Sequence, residues 1–172
     1  AELVKEEFIR GRHCLAVAGT HGKTTTTSIV SWVMDQGGLN PSFLIGGIAQ
    51  NFGSSFRVTD SHYMIIEADE YDTAYFDKGP KFMHYLPELA IVNNIEFDHA
   101  DIYADLNAVK LAFRRFMNLV PGGGRLIVGW DSPHVRAVVE GMGSKLFTRL
   151  ESFGLSQDAK WQIKNADFSK DL

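Results

Sequence analysis

Short continuous apolar runs alternate along this chain with longer stretches of helical periodicity. His13–Val17 ends at Gly19, Phe43–Ile45 runs into Gly46 and Gly47, and Tyr63–Ile66 and Leu89–Val92 are uninterrupted, with a further run at Arg125–Val128. Runs this short, with no polar alternation, predict strands covered on both faces, as in a parallel sheet. Residues 2–10 read as the end of a helix that Gly11 stops. Thr24–Gln36 carries Ile29, Val30, Val33 and Met34 as one apolar stripe before Gly37 and Gly38 terminate it. Asp105–Val120 places Leu106, Val109, Phe113, Phe116, Met117 and Val120 at helical spacing, closed by Pro121. Asp131-Ser132-Pro133 supplies an N-cap and an early proline for a helix reaching Gly141. A polar loop is expected from Gly46 to Asp60, and residues 145–172 read as short strands joined by turns. The alternation predicts one α/β domain over residues 1–172, a mostly parallel sheet flanked by helices.

Composition narrows the partners. With 45% apolar residues in 172, the chain can bury a core that needs no disulfide or structural metal. Seventeen basic against 21 acidic residues give a net charge of −4, which argues against an unspecific nucleic-acid binder and a polybasic membrane patch. No apolar run is long enough to span a bilayer. The single Cys14 excludes an internal disulfide and reads as a buried strand thiol. Ala1–Glu7 has neither an initiator Met nor a basic-then-apolar leader, so a piece of a longer protein is expected.

An anionic ligand must then be held by local geometry, and Gly19-Thr20-His21-Gly22-Lys23-Thr24 offers it, lying between a strand and a helix. Glycines let backbone N–H groups approach a phosphate chain, Lys23 supplies a cation, Thr24 a hydroxyl for Mg²⁺, and the helix its N-terminal dipole. The common phosphate-loop pattern has four residues between its glycines. Only two separate Gly19 from Gly22 here, and a plain glycine turn with a surface lysine is the bland alternative. Glu67 closes the run Tyr63–Ile66 and can reach a nucleotide-bound Mg²⁺, whereas Asp69, Glu70 and Asp72 read mainly as a solvated acidic loop. Asn93-Asn94-Ile95-Glu96-Phe97-Asp98-His99 leaves the same sheet edge. His99 there is either a ligand to a second Mg²⁺ or a structural imidazole, with Asp98 capping the next turn.

At these three segments the chain resembles the central ATP-binding domain of the Mur ligases, and the short glycine spacing is that family's own. Residues 67–78 and 93–102 are most similar to the murein peptide ligase branch. The branch that adds L-alanine shares the loop but is shorter between the acidic segment and the histidine. The resemblance implies ATP and Mg²⁺ as cofactors. Gly19, Thr20, His21, Gly22, Lys23, Thr24 and Thr25 would hold the phosphates. Thr24 and Glu67 would take one Mg²⁺ and His99 a second, with Lys23 and His99 catalytic. Gly46, Gly47 and Asn51 would approach the UDP-sugar. Several relatives carry a carbamylated lysine about four helical turns beyond the histidine. Lys110 is one turn too early and Arg114 stands nearer that place, so none is expected here. The implied reaction is ATP-dependent amide formation between UDP-N-acetylmuramate and L-alanyl-γ-D-glutamyl-meso-diaminopimelate through an acyl phosphate, in the cytoplasm. A UDP-N-acetylmuramate L-alanine ligase, another P-loop ATPase or a nucleotide-binding module without turnover are the alternatives. An N-terminal UDP-binding domain and a C-terminal domain would complete the site, so the piece alone should fold, bind nucleotide weakly and form no amide.

Overall fold

The computed structural model describes residues 1–74, 77–98 and 102–164. Helix α1 (Glu2–Val4) widens into a π-type turn over Lys5–Ile9, and Gly11 ends it at φ +80°. Strand β1 (His13–Ala18) leads into α2 (Lys23–Gln36), followed by β2 (Ser42–Ala49), β3 (Ser54–Arg57) and β4 (Tyr63–Glu67). A small ribbon of β5 (Asp72–Ala74) and β6 (Asp77–Pro80) precedes β7 (Leu89–Val92), α3 (Leu106–Met117) and β8 (Arg125–Gly129). Helix α4 (Pro133–Met142), β9 (Arg149–Gly154) and β10 (Trp161–Gln162) complete the described elements. No helix among the described residues is long and apolar enough to cross a membrane.

Strands β10-β9-β8-β7-β1-β4-β2-β3 form one sheet in that order. Every pairing in it is parallel except β2 with β3, an antiparallel hairpin at one edge. β1 is therefore central, and its residues Ala16, Val17 and Ala18 are wholly buried. Alternation along the strands splits the core in two. Cys14, Ala16, Ala18, Ile66, Val92 and Val128 face the layer of α3 and α4, where Phe113 and Phe116 meet Phe82 at ring distances of 5.6 and 4.7 Å. Each such phenylalanine contributes roughly 1.5–3 kcal/mol by leaving water. On the other face, Phe43, Ile45 and Ile65 pack with Val30 and Met34 of α2.

The structure departs from the sequence pattern in three places. The buried face of α2 is Thr27, Val30, Ser31 and Met34, an i, i+3, i+4, i+7 set, while Ile29 and Val33 are 57% and 62% exposed. Small residues let the helix sit close to the sheet, and Thr27 Oγ1 satisfies itself on the Lys23 carbonyl at 2.7 Å. Strand β2 does not stop at Gly46 and Gly47 but runs on to Ala49, so the expected polar loop is largely the β2–β3 hairpin. The acidic segment after Glu67 is tied down by ion pairs of Lys81 with Asp69 and Lys78 with Asp72, so most of it is not a solvated loop. Helix α4 is capped within the expected Asp131-Ser132-Pro133, by Ser132 on the Val135 N–H, and α3 is capped by Asp105 on the Ala108 N–H. Asp131 instead accepts from the N–H groups of Leu155 and Ser156, and Gly154 is required beside it because a Cβ would lie 2.6 Å from Asp131 Oδ2.

Candidate functional site

Where β1 ends, the chain turns through Gly19 and opens α2 at Gly22, which takes the left-handed conformation at φ +77°. Gly19 is needed for a different reason: a Cβ there would come within 3.1 Å of Asn93 Cβ, so the loop lies directly against the end of β7. The first intrahelical bond runs from the Thr26 N–H to the Gly22 carbonyl at 2.9 Å. The N–H groups of Lys23, Thr24 and Thr25 precede it and point out of the helix start, with no side-chain cap on the helix. Three open amides and the dipole of a long helix make an anion seat.

Asn93 and Asn94 hold the loop that presents those amides. Asn94 Oδ1 accepts from the His21 N–H at 2.8 Å, its Nδ2 donates to the His21 carbonyl at 3.2 Å, and its carbonyl accepts from the Thr20 N–H. Asn93 Nδ2 donates to Thr26 Oγ1 at 3.0 Å. Thr20, 7% exposed, is locked by its hydroxyl to the Glu96 N–H at 2.9 Å, and His21 Nε2 lies 3.5 Å from Glu96 Oε2. The sequence reading missed Asn93 and Asn94 as residues that shape the loop. The available signal was a pair of side-chain amides, each both donor and acceptor, directly after a buried strand.

Two carboxylates meet the loop, one from the end of β4 and one from the segment after it. Thr24 Oγ1 donates to Glu67 Oε1 at 2.9 Å, and the Gly46 N–H donates to Glu67 Oε2 at 2.7 Å. A Cβ on Gly46 would stand 3.0 Å from Glu67 Oε1, and one on Gly47 would stand 3.2 Å from Thr24 Cγ2, so both glycines make room for this pair. A hydroxyl and one carboxylate at a phosphate seat is the protein donor set that fits Mg²⁺, which keeps waters and shares its shell with phosphates. Lys23 Nζ donates to the Gly19 carbonyl at 2.7 Å, to the Thr20 carbonyl at 3.3 Å and to Glu70 Oε2 at 2.7 Å. Glu70 is buried, although the sequence reading left it among solvated acids.

The structure thus brings Gly19, Thr20, His21, Gly22, Lys23, Thr24, Thr25, Gly46, Gly47 and Glu67 to one sheet edge. Asn51 stands apart from them, exposed in the turn between β2 and β3, and His99 lies outside the described residues. Lys110 and Arg114 line a shallow groove between α3 and α4 with Ala137, Val138 and Gly141. A cavity of about 620 Å³ opens beside Asn93 and Asn94, lined also by Asp131, Ser132, His134 and Phe153.

Comparison with known proteins adds the family. The Mur ligase middle domain model matches residues 17–172. The UDP-N-acetylmuramate–L-alanyl-gamma-D-glutamyl-meso-2,6-diaminoheptandioate ligase of Haemophilus influenzae is 57% identical over 122 residues, 71% of this chain and 27% of that protein. The ligase of the same name from Escherichia coli is 44% identical over 156 residues, 91% of this chain and 33% of that protein. The chain therefore spans about a quarter to a third of the length of these curated relatives. The crystal structure of UDP-N-acetylmuramate:L-alanyl-gamma-D-glutamyl-meso-diaminopimelate ligase from Neisseria meningitides superposes with a TM-score of 0.87 at 40% identity, covering 97% of this chain and 53% of that one. The glycine loop, the Thr24–Glu67 pair and the match over residues 17–172 agree, and the chain belongs to the Mur ligase family as a middle domain.

Proposed function

We propose that this chain is the ATP-binding middle domain of an ATP-dependent amide ligase that joins UDP-N-acetylmuramate to L-alanyl-γ-D-glutamyl-meso-diaminopimelate. The observation that carries the reading is the convergence of three open helix amides, the Lys23 ammonium and the Thr24–Glu67 pair on one sheet edge. The terminal phosphates of ATP take the amides of Lys23, Thr24 and Thr25, and Lys23 offsets their charge. Thr24 and Glu67 would hold an Mg²⁺, and His99 is assigned to a second one. An ion bound there would supply charge neutralisation at the transferring phosphoryl group. The cavity beside Asn93 lies on the side of β1 away from Glu67, where the rest of the nucleotide can extend.

In the reaction, a muramoyl carboxylate oxygen bonds to the γ-phosphorus as the bond to ADP breaks. The tripeptide amine then bonds to the acyl carbon, phosphate leaves, and the amine gives up a proton. Two anions must meet in the first step, so the fixed positive end of α2 and Lys23 supply much of what this chain contributes. The other domains of a longer ligase supply the UDP-sugar and amine contacts, and the nucleotide substrates place the reaction in the cytoplasm.

The test is phosphate release by the intact ligase with ATP, UDP-N-acetylmuramate and either the tripeptide or L-alanine. Release that requires both acceptor and tripeptide supports the reading. Release with ATP alone marks a hydrolase, preference for L-alanine marks the sister ligase, and binding without turnover marks a nucleotide-binding module. His99→Ala is expected to lower kcat more than ATP affinity. Loss of thermal stability with an unchanged rate per folded molecule would return His99 to a structural role.

A further inference from the structure

Glu70 follows Glu67 by three residues of the acidic segment but serves a different partner. Its side chain is 2% exposed, and Oε2 stands 2.7 Å from Lys23 Nζ. An ammonium has three N–H bonds to give. The Gly19 carbonyl, the Thr20 carbonyl and Glu70 take them. The two carbonyls belong to the phosphate loop itself, whereas Glu70 arrives from the segment between β4 and β5. Its backbone is anchored: Tyr103 Oη donates to the Glu70 carbonyl at 2.8 Å, the Phe82 N–H donates to the Asp69 carbonyl at 3.1 Å, and Lys81 Nζ pairs with Asp69 Oδ2. The carboxylate is thus presented to Lys23 from fixed main chain.

We propose that Glu70 is a positioning residue that holds Lys23 along its loop until a polyphosphate takes over one of its donors. The proposal rests on the reading that Lys23 serves a triphosphate. A phosphate oxygen can bond to Lys23 only by replacing one of three acceptors, and the one foreign to the loop is Glu70. A carboxylate at that distance also repels an arriving anion. Glu70 therefore lowers affinity for phosphate-bearing ligands and sets a threshold. A triphosphate, which also gains the amides of α2 and the Thr24–Glu67 station, displaces the carboxylate, and a single phosphate does not. The residue selects for chain length.

Calorimetric titration of the chain and its Glu70→Gln variant with Mg-ATP, inorganic triphosphate, inorganic phosphate and adenosine tests this. Glu70→Gln is expected to tighten ATP and triphosphate by about five- to tenfold, the size of one charge-assisted hydrogen bond reduced to a neutral one. Inorganic phosphate becomes measurable, and adenosine is unchanged. Glu70→Asp keeps the charge but shortens the reach, and carries the same expectation in smaller degree should Glu70→Gln fail to fold. Unchanged or weaker triphosphate binding in a folded variant overturns the proposal while leaving the nucleotide reading in place. A shift that adenosine shares equally also overturns it, because it marks a general structural effect. No triphosphate binding by the unsubstituted chain overturns the proposal and the nucleotide reading together.

Discussion

The two edges of the sheet carry cavities of similar size and opposite chemistry. At the C-terminal ends of the strands, about 620 Å³ opens beside Asn93, Asn94 and Asp131, next to the amides of α2 and the Thr24–Glu67 pair. At the N-terminal ends, about 480 Å³ is lined by Cys14, Leu15, Met34, Tyr63, Leu89 and Arg125, with the His13–Glu88 pair at its margin. Strand order and packing are common to both. What differs is the direction of the connections: each parallel strand delivers the start of the next element to one edge, and helices return their ends to the other. Open N–H groups gather at the first edge, while the end of α2 and Gly123 and Gly124 after α3 close the second. Volume alone does not single out the edge proposed to take the phosphates. The direction of the helix ends does.

Substitution of Lys23 breaks this contrast most severely. Lys23→Ala is expected to abolish measurable triphosphate binding, since it removes the ammonium that contacts the loop carbonyls and takes Glu70 from its buried partner. Truncating one member of a buried pair costs about 3–5 kcal/mol, so thermal melting should fall sharply as well. Adding Glu70→Gln to Lys23→Ala should recover much of the stability and none of the binding. Recovery of binding in that double variant would remove Lys23 from the site.

Next in size is Glu67→Gln, which should leave triphosphate binding in the absence of metal near its original value and reduce its strengthening by Mg²⁺ about 10–100-fold. Titrations with and without Mg²⁺ separate that outcome from a general loss. Gly46→Ala places a Cβ about 3.0 Å from Glu67 Oε1 and should weaken the same metal effect by a few-fold, at about 1–3 kcal/mol in stability. An unchanged Mg²⁺ effect in both variants would dissociate Glu67 from the metal.

The smallest effect belongs to the opposite edge. Burial pushes the Cys14 thiol up to about 12 and the Tyr85 hydroxyl also to about 12. Both hold their protons in the folded chain at pH values where the unfolded chain releases them. Stability is therefore fully present below about pH 9 and declines as pH rises from there toward 12. Native Cys14 should resist alkylation at pH 8 and react on unfolding, with nucleotide binding unaffected by the reagent. Rapid alkylation of the folded chain would show the N-terminal edge to be open.

Much of the fold was legible because its signals are local. Gly19 to Thr24 declares a loop between strand and helix, and the apolar runs before Gly19, before Glu67 and before Asn93 each end at the same edge. The buried face of α2 was not legible, because Thr27 and Ser31 occupy positions where periodicity looks for Ile29 and Val33. Packing distance decided that face, and a hydropathy pattern does not encode it. Glu70 was hidden for a similar reason: the acids that follow Glu67 in close succession read as solvent-facing until Lys23, 47 residues earlier in sequence, is seen beside one of them. The Asn93–Asn94 clamp spans 67 to 73 residues of sequence and has the same long-range origin.

The central claim is that the start of α2 is a triphosphate seat whose metal is shared with Glu67. Calorimetric titration of the chain with ATP in the presence and absence of Mg²⁺, beside Lys23→Ala, tests it most directly. The account predicts saturable one-to-one binding that Mg²⁺ strengthens and that Lys23→Ala removes. ATP binding that persists undiminished in Lys23→Ala, or no binding by the unsubstituted chain with Mg²⁺ present, would contradict it.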